Sequence, residues 1–267
     1  VLDTDTPFDR GLWQKIVDLG WTAMSIPETY GGLGLGYLEL CVIAEELGRS
    51  LAPAPFSSSV YLATEAIKSW GTEPQKQHYL PKLATGELIG TLAMNEGLGS
   101  PSVAARVLEG KLTANKIPVP DGDIADFTVL TACDEQGCVG LYVVDLADAG
   151  VQRKTLTSMD PSRSQARLVF DNVPAQALGV AGETQLTELL DRVAVLLAFE
   201  QIGGCQAALD MGIAYTKERY AFGRPIASFQ AIKHKFADMY VALELARANA
   251  YYGVCALPRE APDVVWI

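Results

Sequence analysis

The sequence is poor in residues that hold metal ions or build disulfide frameworks. Its 267 residues include only two histidines and five cysteines, and no two cysteines form a Cys-x-x-Cys pair. An odd number of scattered cysteines with so little histidine argues against a zinc site or a disulfide-stabilised fold. We therefore predict no metal site, and we interpret the cysteines as small, buried apolar side chains.

Positive charge is also scarce, since 21 Lys and Arg residues face 32 Asp and Glu residues and the net charge is −11. Nucleic-acid binding depends on cations that meet phosphates, so we predict no nucleic-acid partner. No apolar run approaches the roughly 20 residues that span a bilayer, and the first residues lack a signal-peptide pattern. These absences lead us to expect a cytoplasmic protein without a membrane partner.

The chain does contain two kinds of periodicity, in three consecutive blocks. Apolar residues at three- and four-residue spacing predict an N-terminal α-helical domain over 1–87, in which Thr72 and Gln75 form a capping box. Short runs of Val, Leu and Thr between turn signals predict a middle antiparallel β domain over 88–180. Helical spacing returns over 181–267. The fold class that we predict is therefore α+β.

A concentrated positive charge stands out in the C-terminal block. No Gly-x-Gly-x-x-Gly motif follows a predicted strand, so a dinucleotide-binding fingerprint is missing. If the protein holds a phosphate-bearing cofactor, we expect it where five cations occur with Glu218 as the only acid among them. These cations are Lys217, Arg219, Arg224, Lys233 and Lys235.

Three residues of this stretch carry groups that suit such a cofactor. The guanidinium of Arg219 is a planar donor fork that matches phosphate oxygens. Phe222 offers an aromatic face, and Gln230 offers both a donor and an acceptor in the first turn of the next predicted helix. The alternative interpretation is structural: an arginine bonded to helix carbonyls and a phenylalanine in the core.

The stretch from Tyr215 to Ile226, with the Ser-Phe-Gln that ends at Gln230, resembles the acyl-CoA dehydrogenase family. In that family a turn of this composition joins two long C-terminal helices. Ile26–Gly32 resembles the family's N-terminal turn, Glu45–Arg49 the helix after it, and Gln75–Gly90 the helix that leads into its β domain. The resemblance follows the chain in order over nearly its whole length, and it implies a fold cut short before its C-terminal helices.

The resemblance also implies an activity and a cofactor. Family members are FAD-dependent oxidoreductases that dehydrogenate the α,β bond of an acyl-CoA thioester in lipid metabolism. They form tetramers and pass electrons to an electron-transfer flavoprotein. By resemblance, Arg219, Phe222 and Gln230 contact the FAD pyrophosphate and adenosine of a neighbouring subunit.

Two family motifs that reach the flavin ring are changed in this chain. The family's Ala-Met-Thr-Glu-Pro is replaced by Ala93–Gly97, in which Asn95 keeps the ability to form hydrogen bonds, and we assign Asn95 as a cofactor contact. The family's Lys-x-Trp-Ile-Thr-Asn is replaced by Lys116–Asp121. Pro118 and Pro120 stand where the tryptophan and threonine would be, and a proline brings neither an amide hydrogen nor a hydroxyl.

The catalytic base stays open. Dehydrogenation needs a carboxylate that takes the proton beside the thioester carbonyl. Most family members place this glutamate in a segment that would follow Ile267, and a minority place it at the position of Val193. Glu200 is a candidate, but it lies two helical turns, about 11 Å, further along. Its alternative role is a glutamate satisfied by a partner or lining an interface.

Three functions therefore remain open. The leading one is an acyl-CoA dehydrogenase subunit. A second is a completing or non-catalytic partner in a heteromeric α2β2 dehydrogenase, like those of bacterial steroid degradation, because the residues that reach a neighbour's FAD are kept while those at the flavin ring are changed. A third is a flavin oxidase or monooxygenase on the same fold. A homotetramer, a heterotetramer, an acyl-chain substrate and a steroid substrate are all compatible with the sequence.

Overall fold

A computed structural model describes residues 6–97, 103–180 and 182–257. The chain divides into two compact units. The first unit combines Val1–Gly36 with Pro53–Val193, and the second combines Tyr37–Ala52 with Ala194–Ile267. The three sequential domains describe the order of secondary structure along the chain, and their boundaries stay a prediction.

The predicted order of helices, strands and helices is confirmed. A π-helical stretch, Ser57–Thr64, leads directly into the third helix. The α-helices are α1 Arg10–Asp18, α2 Tyr37–Arg49, α3 Glu65–Trp70, α4 Glu73–Ala84, α5 Glu183–Glu218 and α6 Gln230–Ala256. The main strands are β1 Gly90–Ala93, β2 Arg106–Leu108, β3 Lys111–Pro120, β4 Phe127–Cys133, β5 Val139–Asp145, β6 Val151–Thr155, β7 Gln165–Pro174 and β8 Gln176–Ala177.

The sheet of the first unit has the order β6-β7-β3-β2-β4-β5-β8, and β1 also pairs with β4. Most pairings are antiparallel, as predicted, but β1 and β2 both pair with β4 in parallel. The connection from β1 to β4 passes through the β2–β3 hairpin, so β4 returns in the direction of β1. The sheet is therefore mixed.

Strand β3 contains Pro118 and ends at Pro120. Its pairing with β7 shifts register between Lys116 and Val119, so Pro118 falls within the irregularity, where the ladder lacks a regular partner. Strand β4 is buried along its whole length. Helix α4 packs on the sheet, with the rings of Tyr79 and Phe127 4.6 Å apart.

The capping box of α4 is confirmed. The side-chain oxygen of Gln75 accepts the N–H of Thr72 at 2.9 Å. The amide nitrogen of the same side chain donates to the carbonyl of Ala177 at 3.0 Å. Gln75 therefore caps α4 and also ties it to β8.

In the second unit, α2 packs against α5 and α6. A Cβ atom on Gly203 would lie 1.8 Å from the carbonyl oxygen of Glu45, so only glycine allows the backbones of α2 and α5 to approach this closely. Arg247 of α6 forms an ion pair with Glu45 and donates to the side-chain oxygen of Gln206 at 3.1 Å. One guanidinium thus joins all three helices.

Among the described residues, one helix is long and apolar enough to cross a membrane by length and composition, namely α5 over Thr184–Glu218. The expectation from the apolar runs was that no such segment exists. Its most apolar window is 44% buried within the protein, and core helices of ordinary proteins pass the same test. The absence of a membrane partner stays a prediction.

Candidate functional site

The basic stretch folds into a tight turn between α5 and α6. Strand β9, Tyr220–Ala221, pairs with β10, Arg224–Pro225, around a two-residue loop. The loop residues Phe222 and Gly223 both have positive φ, 54° and 76°, as the hairpin turns of type I′ require. We call residues 217–235 the basic turn.

Phe222 has an unfavourable backbone conformation. A bulky residue with positive φ costs on the order of 1 kcal/mol. Its ring is 95% exposed, so burial does not compensate for this cost within the chain, and its nearest aromatic neighbour is Phe229, with ring centroids 6.2 Å apart. The alternative interpretation of Phe222 as a core residue is wrong. The backbone instead presents an aromatic face to solvent.

Arg219 is fixed through its backbone, and its side chain is exposed. Its N–H donates to Tyr215 at 2.9 Å, and its carbonyl accepts the N–H of Ile226 at 2.8 Å. Its guanidinium forms no hydrogen bond or ion pair with another described residue, so the alternative of an arginine bonded to helix carbonyls is not observed. Gln230 is the first residue of α6 and is also exposed. The structure thus places Arg219, Phe222 and Gln230 on one short, well-defined segment.

Sequence reasoning counted Arg224 only as a charge and missed its partner. Its guanidinium carbon lies 4.1 Å from the centroid of the Phe229 ring, a cation–π contact. Every cation of the basic turn is exposed, in a protein whose net charge is −11. This surface suits an anionic ligand with an aromatic part.

Asn95 follows β1 in the first unit. Its carbonyl accepts the N–H of Ile117 at 2.8 Å, while its side chain is exposed. The N–H of Gly97 donates to the carbonyl of Ile117 at 3.1 Å, with φ at 111°. That φ is open to glycine and closed to proline, so a proline at this position would require a different backbone conformation.

A buried ion pair that sequence reasoning missed lies beneath Asn95. The side chain of Lys116 is fully buried, and its Nζ lies 2.6 Å from Oε1 of Glu96, which is 8% exposed. Burial raises the pKa of Glu96, but Lys116 and the N–H groups of Ala104 and Ala105 lower it more, so the net pKa lies below its ordinary value. Burial also lowers the pKa of Lys116, although Glu96 opposes that shift.

The two prolines lie on β3, beyond Lys116. The carbonyl of Pro120 accepts the hydroxyl of Thr91 at 2.5 Å. The next residue, Asp121, is 3% exposed and accepts the hydroxyl of Ser58 at 2.6 Å. Burial raises the pKa of Asp121. This end of the strand is thus occupied by internal hydrogen bonds, and the positions that would meet a flavin ring present no donor.

Glu200 lies on α5 and is 8% exposed. A groove of about 660 Å³ lies between α5 and α6 and is lined mainly by small and apolar side chains, and Glu200 is not among them. The residue is placed where α5 meets α2, because a Cβ on Gly48 would lie 1.8 Å from the Glu200 carbonyl oxygen. Its role as a base stays a prediction.

The described residues contain no group of three or more His, Cys, Asp or Glu side chains that could hold a metal ion. The free thiols of Cys41 and Cys133 are buried, as predicted, but Cys138, Cys205 and Cys255 are exposed, so the interpretation as buried apolar side chains is wrong for these three. Burial raises the pKa of Cys41 to about 12, so this thiol stays protonated at neutral pH.

Comparison with known proteins gives matches along most of the chain. The family model "Acyl-CoA dehydrogenase, N-terminal domain" matches residues 2–87, and "Acyl-CoA dehydrogenase, C-terminal domain" matches residues 181–265. Mitochondrial isovaleryl-CoA dehydrogenase of Solanum tuberosum is 34% identical over 265 residues, which cover 92% of this chain and 64% of that protein. This chain therefore spans about two thirds of the length of that relative.

Solved structures give the same result. A variant of the Tcur3481–Tcur3483 steroid ACAD matches with a TM-score of 0.88 and 32% identity, over 98% of this chain and 72% of that one. The ChsE4–ChsE5 complex from Mycobacterium tuberculosis matches with a TM-score of 0.89 and 28% identity, over 96% of this chain and 71% of that one.

Proposed function

This chain belongs to the acyl-CoA dehydrogenase family, and we propose that it is a subunit of an FAD-dependent dehydrogenase that acts on the α,β bond of an acyl-CoA thioester. The observation that carries the proposal is the basic turn, which presents Arg219, Phe222 and Gln230 to solvent on a fixed backbone. The name of the Solanum tuberosum relative, isovaleryl-CoA dehydrogenase, agrees with this class of substrate.

The basic turn fits the diphosphate and adenosine of FAD. The guanidinium of Arg219 provides a fork for phosphate oxygens, the ring of Phe222 provides a stacking face, and Gln230 provides a donor and an acceptor. The bound flavin supplies a hydride acceptor, and this chain's residues hold and orient it. Because all three residues are exposed, an FAD that they held would extend beyond this subunit.

Strand β3 fits a flavin ring poorly, and this observation favours a second candidate function. Pro118 and Pro120 donate no hydrogen bond, and the Pro120 carbonyl is already used by Thr91. A subunit with an intact basic turn and a weakened ring site suits a heteromeric dehydrogenase in which it completes the partner's FAD site. Two of the similar structures, Tcur3481–Tcur3483 and ChsE4–ChsE5, carry two-component names, and the first is described as a steroid ACAD.

We extend the proposal to the assembly and its partners. A tetramer, homomeric or heteromeric, places the basic turn against another subunit, and an electron-transfer flavoprotein accepts the electrons. The proposed substrate is an acyl-CoA. If the assembly is a heteromer, we propose that the acyl group is a steroid side chain. A cytoplasmic location agrees with this metabolic role.

Purification of the full protein, alone and together with the product of the neighbouring gene, tests the proposal. We expect FAD to be retained fully only in the assembly that turns over acyl-CoA with an artificial electron acceptor. Full FAD occupancy and turnover by the chain alone would exclude the heteromer. A complete lack of FAD in every assembly would exclude the dehydrogenase itself.

Arg219→Ala tests the residue on which the proposal depends. Loss of a charge-assisted contact to a phosphate costs about 2 kcal/mol, so we expect the Kd for FAD to rise by about thirtyfold. The matched control is Lys111→Ala, which removes an exposed cation of the β2–β3 hairpin and should leave the Kd unchanged. Equal effects of the two variants would mean that only net charge matters.

A further inference from the structure

Strand β4 pairs in parallel first with β1 and then with β2. Between the two pairings lies a short stretch of β4 that has no strand partner from either of them. β1 pairs with residues 127–130 of β4, and β2 joins the same strand only at Cys133. Met94 therefore follows the last β1–β4 pair, beside Thr131. A carbonyl group in such a gap needs a donor from elsewhere.

Lys116 supplies such a donor from β3, and the hydroxyl of Thr131 donates to the same carbonyl at 3.4 Å. Its Nζ donates to the carbonyl of Met94 at 3.2 Å, to the hydroxyl of Thr131 at 3.1 Å and to the carboxylate of Glu96 at 2.6 Å. An ammonium group has three N–H donors, so these acceptors use all of them. A fully buried lysine thus replaces ladder hydrogen bonds where the chain leaves the sheet.

Glu96 holds the chain where it rejoins the sheet. Its carboxylate accepts the N–H of Ala104 at 2.7 Å and the N–H of Ala105 at 3.1 Å. The carbonyl of Ala105 then accepts the N–H of Cys133 at 2.9 Å, beside the first β2–β4 pair. One carboxylate therefore binds Lys116 and also holds the backbone at Ala104 and Ala105, next to β2.

Asn95 directly precedes Glu96 in the chain. Hydrogen bonds to Ile117 fix the backbone on both sides of Glu96, while the Asn95 side chain is exposed. We infer that Lys116 and Glu96 are positioning residues, whose ion pair fixes the backbone that presents Asn95 to FAD. This inference rests on the proposed function, because it concerns the cofactor site.

The double substitution Lys116→Met with Glu96→Gln tests the inference. It removes both charges at nearly constant volume, and neutral replacement of a whole buried pair is often tolerated by a fold. In the assembly that binds FAD, we expect the Kd to rise by about tenfold. We also expect the absorption and fluorescence spectra of the bound flavin to change, because its contacts move. FAD titration followed by fluorescence measures both.

A matched control separates positioning from general stability. Glu65 is 1% exposed and its Oε2 lies 2.6 Å from Nζ of Lys68, so this pair also has a deeply buried carboxylate at the same distance. Both residues lie in α3, outside the segments that carry Glu96 and Lys116 or their neighbours, and Glu65 also forms an ion pair with Arg192 at 3.4 Å. Glu65→Gln with Lys68→Met should lower stability and leave the Kd for FAD and the flavin spectra unchanged.

Thr131→Val provides a milder variant that keeps both charges. It removes one acceptor of Lys116 while it preserves shape, and we expect the Kd to rise by about threefold. A wild-type Kd and spectrum in both this variant and the Lys116/Glu96 double variant would overturn the positioning role alone. Equal losses in the Glu65/Lys68 control would also overturn it. Failure of the wild-type assembly to bind FAD would overturn the proposed function together with this inference.

Discussion

The basic turn and the ion pair of Lys116 and Glu96 use charge in opposite ways. The cations of the basic turn are exposed, and Arg219 forms no ion pair with another described residue. The ammonium of Lys116 is fully buried, and each of its three donors has an acceptor within the first unit. An exposed charge costs little to fold and is available to a ligand, whereas a buried charge is committed to the structure. Substitutions in the two regions should therefore affect different properties.

The largest expected effect belongs to the buried pair. Glu96→Gln leaves the Lys116 ammonium buried without a counter-charge, so we expect the free energy of unfolding to fall by about 3 kcal/mol. Urea denaturation of the full chain measures it. Since the pKa of Glu96 is lowered in the folded protein, its contribution is present above the unfolded pKa and is lost as pH falls through the folded pKa.

The control for this substitution is Glu135→Gln. Glu135 is exposed and, among the described residues, accepts only the N–H of Glu109, at 3.1 Å, so the expected loss is about 0.5 kcal/mol or less. A similar small loss in Glu96→Gln would remove the contrast between the two regions.

An intermediate effect is expected at the loop of the basic turn. Phe222→Gly relieves the positive φ of an exposed residue, so we expect the free energy of unfolding to rise by about 1 kcal/mol while FAD binding weakens. Higher stability together with weaker FAD binding would show that Phe222 serves binding at a cost in stability. Thermal denaturation and FAD titration of the same variant measure the two effects.

The β2–β3 hairpin supplies a geometric control. Glu109 and Gly110 also form a two-residue loop with positive φ, 49° and 72°. Glu109→Gly should raise stability by a similar amount and leave FAD binding unchanged. If Glu109→Gly also weakened FAD binding, the weaker binding of Phe222→Gly could not be attributed to loss of the Phe222 ring.

The smallest expected effect concerns Asp121, a buried carboxylate that hydrogen-bonds hydroxyl groups and forms no ion pair with a described residue. Burial raises its pKa, so any stability that it contributes is present below the unfolded pKa and is lost as pH rises through the folded pKa. Asp121→Asn stays neutral, so its stability relative to the wild type should increase as pH rises from about 4 to 7. Urea denaturation over that pH range measures the trend. A trend of opposite sign would mean that the charge of Arg163 and the hydroxyl hydrogen bonds, which lower the pKa of Asp121, outweigh burial.

The sequence was sufficient for features that depend on local chemistry. Periodicity gave the order of helices and strands, and the capping box at Thr72 followed from residues three positions apart. The exposed fork of Arg219 beside a tight turn was also predictable, because glycine and proline mark the turn locally. The resemblance to a family then related these residues to a cofactor.

Features that depend on distant contacts were not predictable. Lys116 and Glu96 are twenty positions apart, and no sequence pattern marks either one as buried. The parallel pairing of β4 and the placement of α2 in the second unit also arise from contacts between remote segments. Glu200 was considered as a base from its helical position alone, and its burial became visible only in the structure.

The second unit is built from two segments that are far apart in the chain, and this has a consequence for folding during synthesis on the ribosome. The buried face of α2, which includes Leu40, Cys41 and Ala44, finds its partners only after residue 194 has been made. At ordinary elongation rates this delay is on the order of ten seconds. During that interval the apolar face of α2 is accessible to chaperones and to other nascent chains. The yield of folded protein should therefore depend on translation speed between residues 52 and 194.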